Sequence, residues 1–151
     1  MIIEDTRQKA QKHTLKENYF ASENIPVMRS KLPYGDYALA PQISVDTKQN
    51  VLEIAQNMCG AAKEKKRFKE ECVLAQKAGA QLVILIEDER IRGVTELFGK
   101  TIRLSSGKVI AGDQLARAMA VMSERYGVKF EFCRSKDAGK RIVEILNDGE
   151  R

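Results

Sequence analysis

Ile43-Ser44-Val45-Asp46-Thr47-Lys48 reads as one extended strand, and its alternation decides the fold. Successive side chains in a strand face opposite ways. Ile43, Val45 and Thr47 therefore share a face suited to a core, and Ser44, Asp46 and Lys48 share the other. An acid and an ammonium two residues apart stand side by side. Gly35-Asp36 lies ten residues upstream of Asp46. A short hairpin brings Asp36 back to the same point: Tyr37-Ala38-Leu39, a turn at Ala40-Pro41-Gln42, then the strand. Two carboxylates and a lysine converging there suit a hard divalent cation and phosphate chemistry.

Working outward, Ile2 and Ile3 open a first strand that ends at Asp5. A helix follows within Lys12–Asn24, with Leu15, Tyr19 and Phe20 on one side, and Ile25–Leu32 reads as a second strand. Beyond the hairpin, a helix runs over about Val51–Met58 and stops at Gly60. A longer one covers about Lys63–Ala78, with Phe68, Cys72 and Ala75 inward and Gly79 at its end. Leu82-Val83-Ile84-Leu85-Ile86 is the longest purely aliphatic run. It reads as a central strand covered on both faces. Glu87–Ser106 gives no clear pattern: Val94-Thr95-Glu96-Leu97-Phe98 suits helix, loop or lid. Gly112-Asp113 precedes a helix with Leu115, Ala118, Met119 and Met122 on its core face, closed by Gly127. Lys129–Cys133 is a strand, and Ser135–Asn147 a final helix. The order gives a three-layer α/β domain whose central mixed sheet, antiparallel early and parallel later, is flanked by helices.

The 151 residues suit a single domain, with 43% hydrophobic and 31% charged residues. The aliphatic run is far too short for a membrane span, and the N-terminus starts straight into structure without a signal peptide. Cys59, Cys72 and Cys133 are odd in number and widely spaced. They argue against a disulfide frame or a zinc site and fit a reducing cytoplasm. His13 is the single histidine, which leaves oxygen as the main donor for any metal. A formal charge of +5 permits a polyanionic partner. A Gly-rich phosphate loop of the Rossmann or P-loop kind is absent.

These residues resemble the XPF-type nuclease domain, a branch of the PD-(D/E)xK (restriction-endonuclease-like) superfamily. The resemblance runs through Asp5-Thr6-Arg7-Gln8, Leu32 with Gly35-Asp36-Tyr37, Val45-Asp46-Thr47-Lys48, Arg67 to Glu71, and Val83–Glu87. It extends over about residues 1–147, which implies one nuclease domain over residues 1–151 without a helix-hairpin-helix module. The family pattern is Asp-x-Arg-Glu, Gly-Asp-Tyr, and Glu-Arg-Lys followed by an acid four residues on. Gln8 stands for the glutamate, Asp46-Thr47 for Glu-Arg, and Leu52 for the later acid, with Glu53 beside it.

The resemblance implies a restriction-endonuclease-like fold and a metal-dependent endonuclease that hydrolyses phosphodiester bonds in branched or flapped DNA, in repair or recombination. It implies Mg²⁺ or Mn²⁺ on Asp36, Asp46, the Thr47 carbonyl and Asp5. Lys48 orients the attacking water or stabilises developing charge, and Arg7 grips a phosphate or holds the acids. Gln8 and Glu71 are supporting residues. Lys63, Lys66 and Arg67 are the DNA-contacting residues of a charged helix face. The implied partners are DNA and either a second copy of the chain or another DNA-processing protein, with no membrane and a cytoplasmic location. Plainer readings stand beside these. Asp-x-Lys is also a common surface ion pair, Asp5 a turn cap, Glu71 a solvated helix residue, and the lysine-rich helix a solvated face. His13 reads as a helix-side residue, Tyr37 as a packing residue and the Met119/Met122 stripe as core. The rival function is a binding module: the same fold with impaired chemistry, holding DNA or pairing with an active nuclease. Gln8 and Leu52 keep it in view.

Overall fold

The computed structural model describes residues 2–8, 12–30, 32, 35–39 and 43–148. Its elements in chain order are β1 (Ile2–Asp5), α1 (Thr14–Ser22), β2 (Val27–Ser30), β3 (Tyr37–Leu39), β4 (Ile43–Lys48), α2 (Val51–Cys59), α3 (Ala62–Lys77), β5 (Gln81–Glu87), β6 (Thr101–Arg103), β7 (Val109–Ala111), α4 (Gly112–Tyr126), β8 (Lys129–Cys133) and α5 (Ala138–Asp148). Short 3₁₀ turns occupy Val94–Leu97 and Ser135–Asp137. The last expected helix thus opens as 3₁₀ and becomes α-helical at Ala138. The expected turn at Ala40-Pro41-Gln42 lies outside the described residues.

Six strands form one sheet in the order β2-β1-β3-β4-β5-β8. The β1–β3 and β3–β4 pairs are antiparallel, and β4–β5 and β5–β8 are parallel. The β1–β2 pair is also parallel, which corrects the expectation of a uniformly antiparallel first half. Helix α1 is the crossover that permits it. The patternless stretch after Glu87 holds the first strand of a separate antiparallel hairpin, β6–β7.

β5 shows why the domain has three layers. Its side chains alternate between two apolar clusters. Leu82, Ile84 and Ile86 pack with Ile54, Phe68, Cys72, Leu115 and Met119 beneath α2, α3 and α4. Val83 and Leu85 pack with Ile2, Phe20, Tyr37, Val45, Ile142 and Leu146 beneath α1 and α5. All five aliphatic side chains of β5 are at most 3% exposed. Such burial stabilises by about 1.5–3 kcal/mol per side chain. The inward faces expected for α3 are present in Phe68, Cys72 and Ala75. On α4, Ala116 joins Leu115 and Met119 in the buried set. On α1 the expectation fails at one position: Leu15 is 55% exposed and Lys16 is buried. The reason is an ion pair, Lys16 Nζ to Glu87 Oε2 at 2.7 Å, that ties α1 to the end of β5.

Candidate active site

Asp36 is held by its own backbone. Its N–H donates to the carbonyl of Val45 at 2.7 Å, and its carbonyl accepts from the N–H of Asp5 at 2.6 Å. Gly35 makes the approach possible. Its φ is +72°, and a Cβ there would collide with the Ser44 hydroxyl. β3 then pairs with β4, Tyr37 opposite Val45. The Asp36 carboxyl folds back over the end of β4, where Oδ2 accepts from the Thr47 N–H at 2.6 Å and the Thr47 hydroxyl at 3.0 Å.

Asp46 and Lys48 project from the other face of β4, as the alternation requires. That face is covered rather than open: Ser44 and Asp46 are both buried. Lys48 Nζ lies 3.3 Å from Asp46 Oδ2 and 5.9 Å from the centre of the Phe68 ring, within cation–π range. Glu71 of α3 reaches the same group. Asp46 is hydrogen-bonded to both Asp36 and Glu71. Glu71, half-buried, is therefore a member of the cluster rather than a solvated helix residue, and its buried Oε1 has no partner among the described residues.

Three carboxyl groups in contact cannot all be ionised. Burial, followed by the neighbouring Asp46 charge, pushes Asp36 well above the ordinary carboxylate range. The same two causes push Glu71 up to about 10. For Asp46, burial works upward, but the Lys48 charge and the hydrogen bonds from Glu71 and Asp36 outweigh it and its pKa falls. Burial works downward on Lys48, and the charge of Asp46, aided by the neighbouring Glu71 and Asp36 carboxyls, more than reverses it. The negative charge of the cluster is therefore drawn to Asp46, beside a firmly protonated Lys48, while Glu71 keeps its proton near neutrality and donates to Asp46.

A pocket of about 220 Å³ opens over this cluster, lined by Gln8, Lys12, His13, Asp36, Asp46, Thr47, Lys48, Gln49 and Glu53. Gln8 is buried here. Its turn is fastened by Arg29, whose Nη2 donates to the carbonyls of Gln8 at 2.8 Å and Thr6 at 3.2 Å. Glu53 caps α2: Asn50 Oδ1 accepts its N–H, and Glu53 Oε2 accepts from the Gln49 N–H, both at 2.9 Å. The acid four residues after Lys48 is Leu52 in this chain, yet Glu53 brings a carboxylate to the rim.

Asp5 and Arg7 form an ion pair with each other. Asp5 is buried, but Arg7 Nε donates to its Oδ2 at 2.7 Å and the Leu32 N–H donates to its Oδ1 at 3.2 Å. Arg7 Nη2 also donates to the Leu32 carbonyl at 2.6 Å. Both Asp5 oxygens are thus engaged away from the pocket, and Arg7 grips Asp5 rather than facing the other acids. Lys63, Lys66 and Arg67 are exposed on the first half of α3, with Arg67 one turn before Glu71. His13 was not legible as a pocket residue. It caps α1 by position and is buried, and the one available signal was a lone histidine directly before a helix. Burial, then the charges of Lys16 and Lys12, lowers its pKa to about 4, so the ring is neutral near pH 7.

Among the described residues, no cluster of three or more His, Cys, Asp or Glu side chains is arranged to enclose a metal ion. The donor chemistry nevertheless fits Mg²⁺ or Mn²⁺. Such ions take one or two carboxylates and keep several waters, and Asp36 and Asp46 are two touching carboxyls that a cation would let ionise together. No helix among the described residues is long and apolar enough to cross a membrane.

The sheet order and the two helical layers are those of a restriction-endonuclease-like fold. The chain belongs to the ERCC4 domain family, whose model matches residues 4–146. Its fold is similar to that of XPF from Aeropyrum pernix, with 19% identity and a TM-score of 0.67, over 99% of this chain and 65% of that one. It is equally similar to XPF from Aeropyrum pernix in complex with DNA, at 17% identity and a TM-score of 0.67, over 99% of this chain and 64% of that one. The chain thus spans just under two thirds of these solved chains. Comparison with curated protein sequences gives no significant match.

Proposed function

We propose that this domain is a metal-dependent, structure-selective DNA endonuclease that hydrolyses phosphodiester bonds in branched or flapped DNA. The carrying observation is the contact of Asp36, Asp46 and Lys48 at the floor of one pocket. Membership of the ERCC4 domain family and the fold shared with a DNA-bound XPF support it.

Asp36 and Asp46 would hold Mg²⁺ or Mn²⁺, with the Thr47 carbonyl as a further oxygen. The bound ion would acidify a water and offset charge on the phosphate. Lys48 keeps its proton, so it serves as a fixed cation beside the reacting group and stabilises charge that develops there. Thr47, through its N–H and hydroxyl, orients the Asp36 carboxyl. Asp5 acts as a positioning residue: its backbone anchors Asp36 and its carboxylate is spent on Arg7. Glu71 supplies a third carboxyl that can release its proton when a cation arrives. Lys63, Lys66 and Arg67 would meet the DNA backbone beside the site.

A second reading is a catalytically impaired module that binds DNA or pairs with an active nuclease subunit. One observation favours it: Gln8 brings an amide to the pocket where a carboxylate would strengthen a metal site. The deciding experiment is cleavage of labelled flap, fork, Holliday-junction, duplex and single-stranded DNA with Mg²⁺, Mn²⁺ or EDTA, beside Asp46→Ala. Metal-dependent cutting that vanishes in the variant establishes the nuclease. Salt-sensitive binding to branched DNA without cutting establishes the module.

A further inference from the structure

The pocket above the acids has a second wall of opposite character. Gln8 and His13 are 9% and 8% exposed, and each carries a buried nitrogen, Gln8 Nε2 and His13 Nδ1, without a partner among the described residues. Burying such groups unbonded is costly, so they are placed for something that enters the pocket. His13 is the residue preceding α1, and its side chain makes no capping hydrogen bond to that helix. The first N–H groups of any α-helix lack a helical acceptor and carry partial positive charge. Lys12, exposed at the same helix end, adds a full one. The wall therefore offers an amide donor, an imidazole whose Nδ1–H tautomer donates, an ammonium and a helix N-terminus. That set suits an anion.

The position of the wall says which anion. A second pocket of about 260 Å³, lined in part by Lys16, Glu87 and Ser135, adjoins the first and shares Lys12 and Gln49 with it. The N-terminus of α1 thus stands on the border between the two, and Asp36 and Asp46 line only the first. Within the second pocket Lys16 is neutralised by Glu87, which leaves Lys12 as the free cation of the border among its described lining residues.

We propose that Gln8, His13, Lys12 and the N-terminus of α1 form a binding site for a phosphodiester group neighbouring the one that meets Asp36 and Asp46. The inference rests on the nuclease-fold reading of the acidic wall and adds to it a residue set that fixes the register of the strand. In this role the amide of Gln8 is an asset. It donates to a phosphate oxygen, which a carboxylate at that position would repel.

The test is a scan of neutral methylphosphonate linkages, one position at a time, along the strand of a branched DNA that the full chain binds. Ca²⁺ replaces Mg²⁺ so that binding is read without cleavage. The wild type should lose roughly ten-fold in affinity at each contacted phosphate, the worth of one charge-assisted contact. In Asp46→Ala the penalty should disappear at one position. In Gln8→Met and in His13→Phe it should disappear at an adjacent one and persist at the first. Thermal melting checks that each variant is folded, and agreement between the two variants guards against a packing effect of either. If both variants keep the wild-type pattern, or lose the penalty at the same position as Asp46→Ala, there is no separate phosphate site and the proposal fails. The nuclease reading fails on a different result: wild-type protein that does not cut in Mg²⁺ or Mn²⁺, whatever the scan shows.

Discussion

The ammonium of Lys48 lies 3.3 Å from Asp46 Oδ2, and both side chains leave β4 on one face, two residues apart. Asp46 is buried and Lys48 nearly so, and each charge depends on the other. Lys48→Met removes the fixed cation and leaves Asp46 among Asp36 and Glu71 alone. Cleavage of a branched substrate should fall by about 10²–10³-fold, the usual effect of losing one donor to developing charge. Single-turnover assays in Mg²⁺ measure it. Cleavage at the wild-type rate would remove Lys48 from the chemistry.

A cation that binds the folded acids but not the unfolded chain stabilises the fold. At about 100 times its dissociation constant Mn²⁺ should add about 2.7 kcal/mol. Asp36→Asn and Asp46→Asn should erase this gain. Chemical denaturation of the three proteins with Mn²⁺ or EDTA reads it. A gain that survives in both variants would place the metal elsewhere.

Gly35 is fixed by its φ of +72° and by the Ser44 hydroxyl that a Cβ would strike. Gly35→Ala should cost at least about 2 kcal/mol: about 1–2 for the left-handed backbone and the rest for the collision. Because Asp36 is the next residue, Mn²⁺ affinity should fall as well. Urea denaturation and a metal titration check the two effects, and an unchanged urea midpoint would contradict the first.

The Lys16–Glu87 pair is a structural tie, with both side chains nearly buried at 2.7 Å. Lys16→Met strands a buried carboxyl whose pKa is already raised, first by burial. It should cost about 3–5 kcal/mol, and the double variant Lys16→Met/Glu87→Gln should recover much of that. Equal losses in the single and double variants would show that the tie is not what Lys16 provides.

His13 sets part of the acid limit of stability. Its pKa is lowered from 6.5 to about 4 in the folded chain. Between those values the unfolded chain binds a proton that the native ring refuses, so stability falls as pH drops from 6.5 toward 4 and is unaffected above. His13→Gln should flatten that part of the profile. Denaturation of both proteins at about pH 7.5 and about pH 5 makes the comparison. Parallel losses would mean that His13 is protonated in the fold.

The parts read correctly from the sequence are those governed by short-range periodicity. The period of two in Ile43–Lys48 placed Asp46 beside Lys48, the hairpin returned Asp36 to them, and the aliphatic run marked β5 as central. What failed depends on residues far apart in the chain. Lys16 is buried and Leu15 exposed because Glu87, 71 residues away, supplies the counter-charge. The hydrogen bonds of the Asp5 carboxylate were hidden likewise, since Leu32 completes them from another segment. Gln8 and His13 lie in a turn and a helix start with no periodic pattern, so nothing local showed that both would border the acids. The parallel β1–β2 pair was hidden for a related reason: strand direction follows from where α1 lies on the sheet.

Asp36 joins two long-range pairings through its backbone alone, to Asp5 on one side and Val45 on the other. A carboxylate carried on a free loop could drift away while the rest of the molecule stayed intact. Here releasing this acid breaks a backbone hydrogen bond to each of two neighbouring strands, so the readiness of the site is tied to the pairing of the sheet around Asp36.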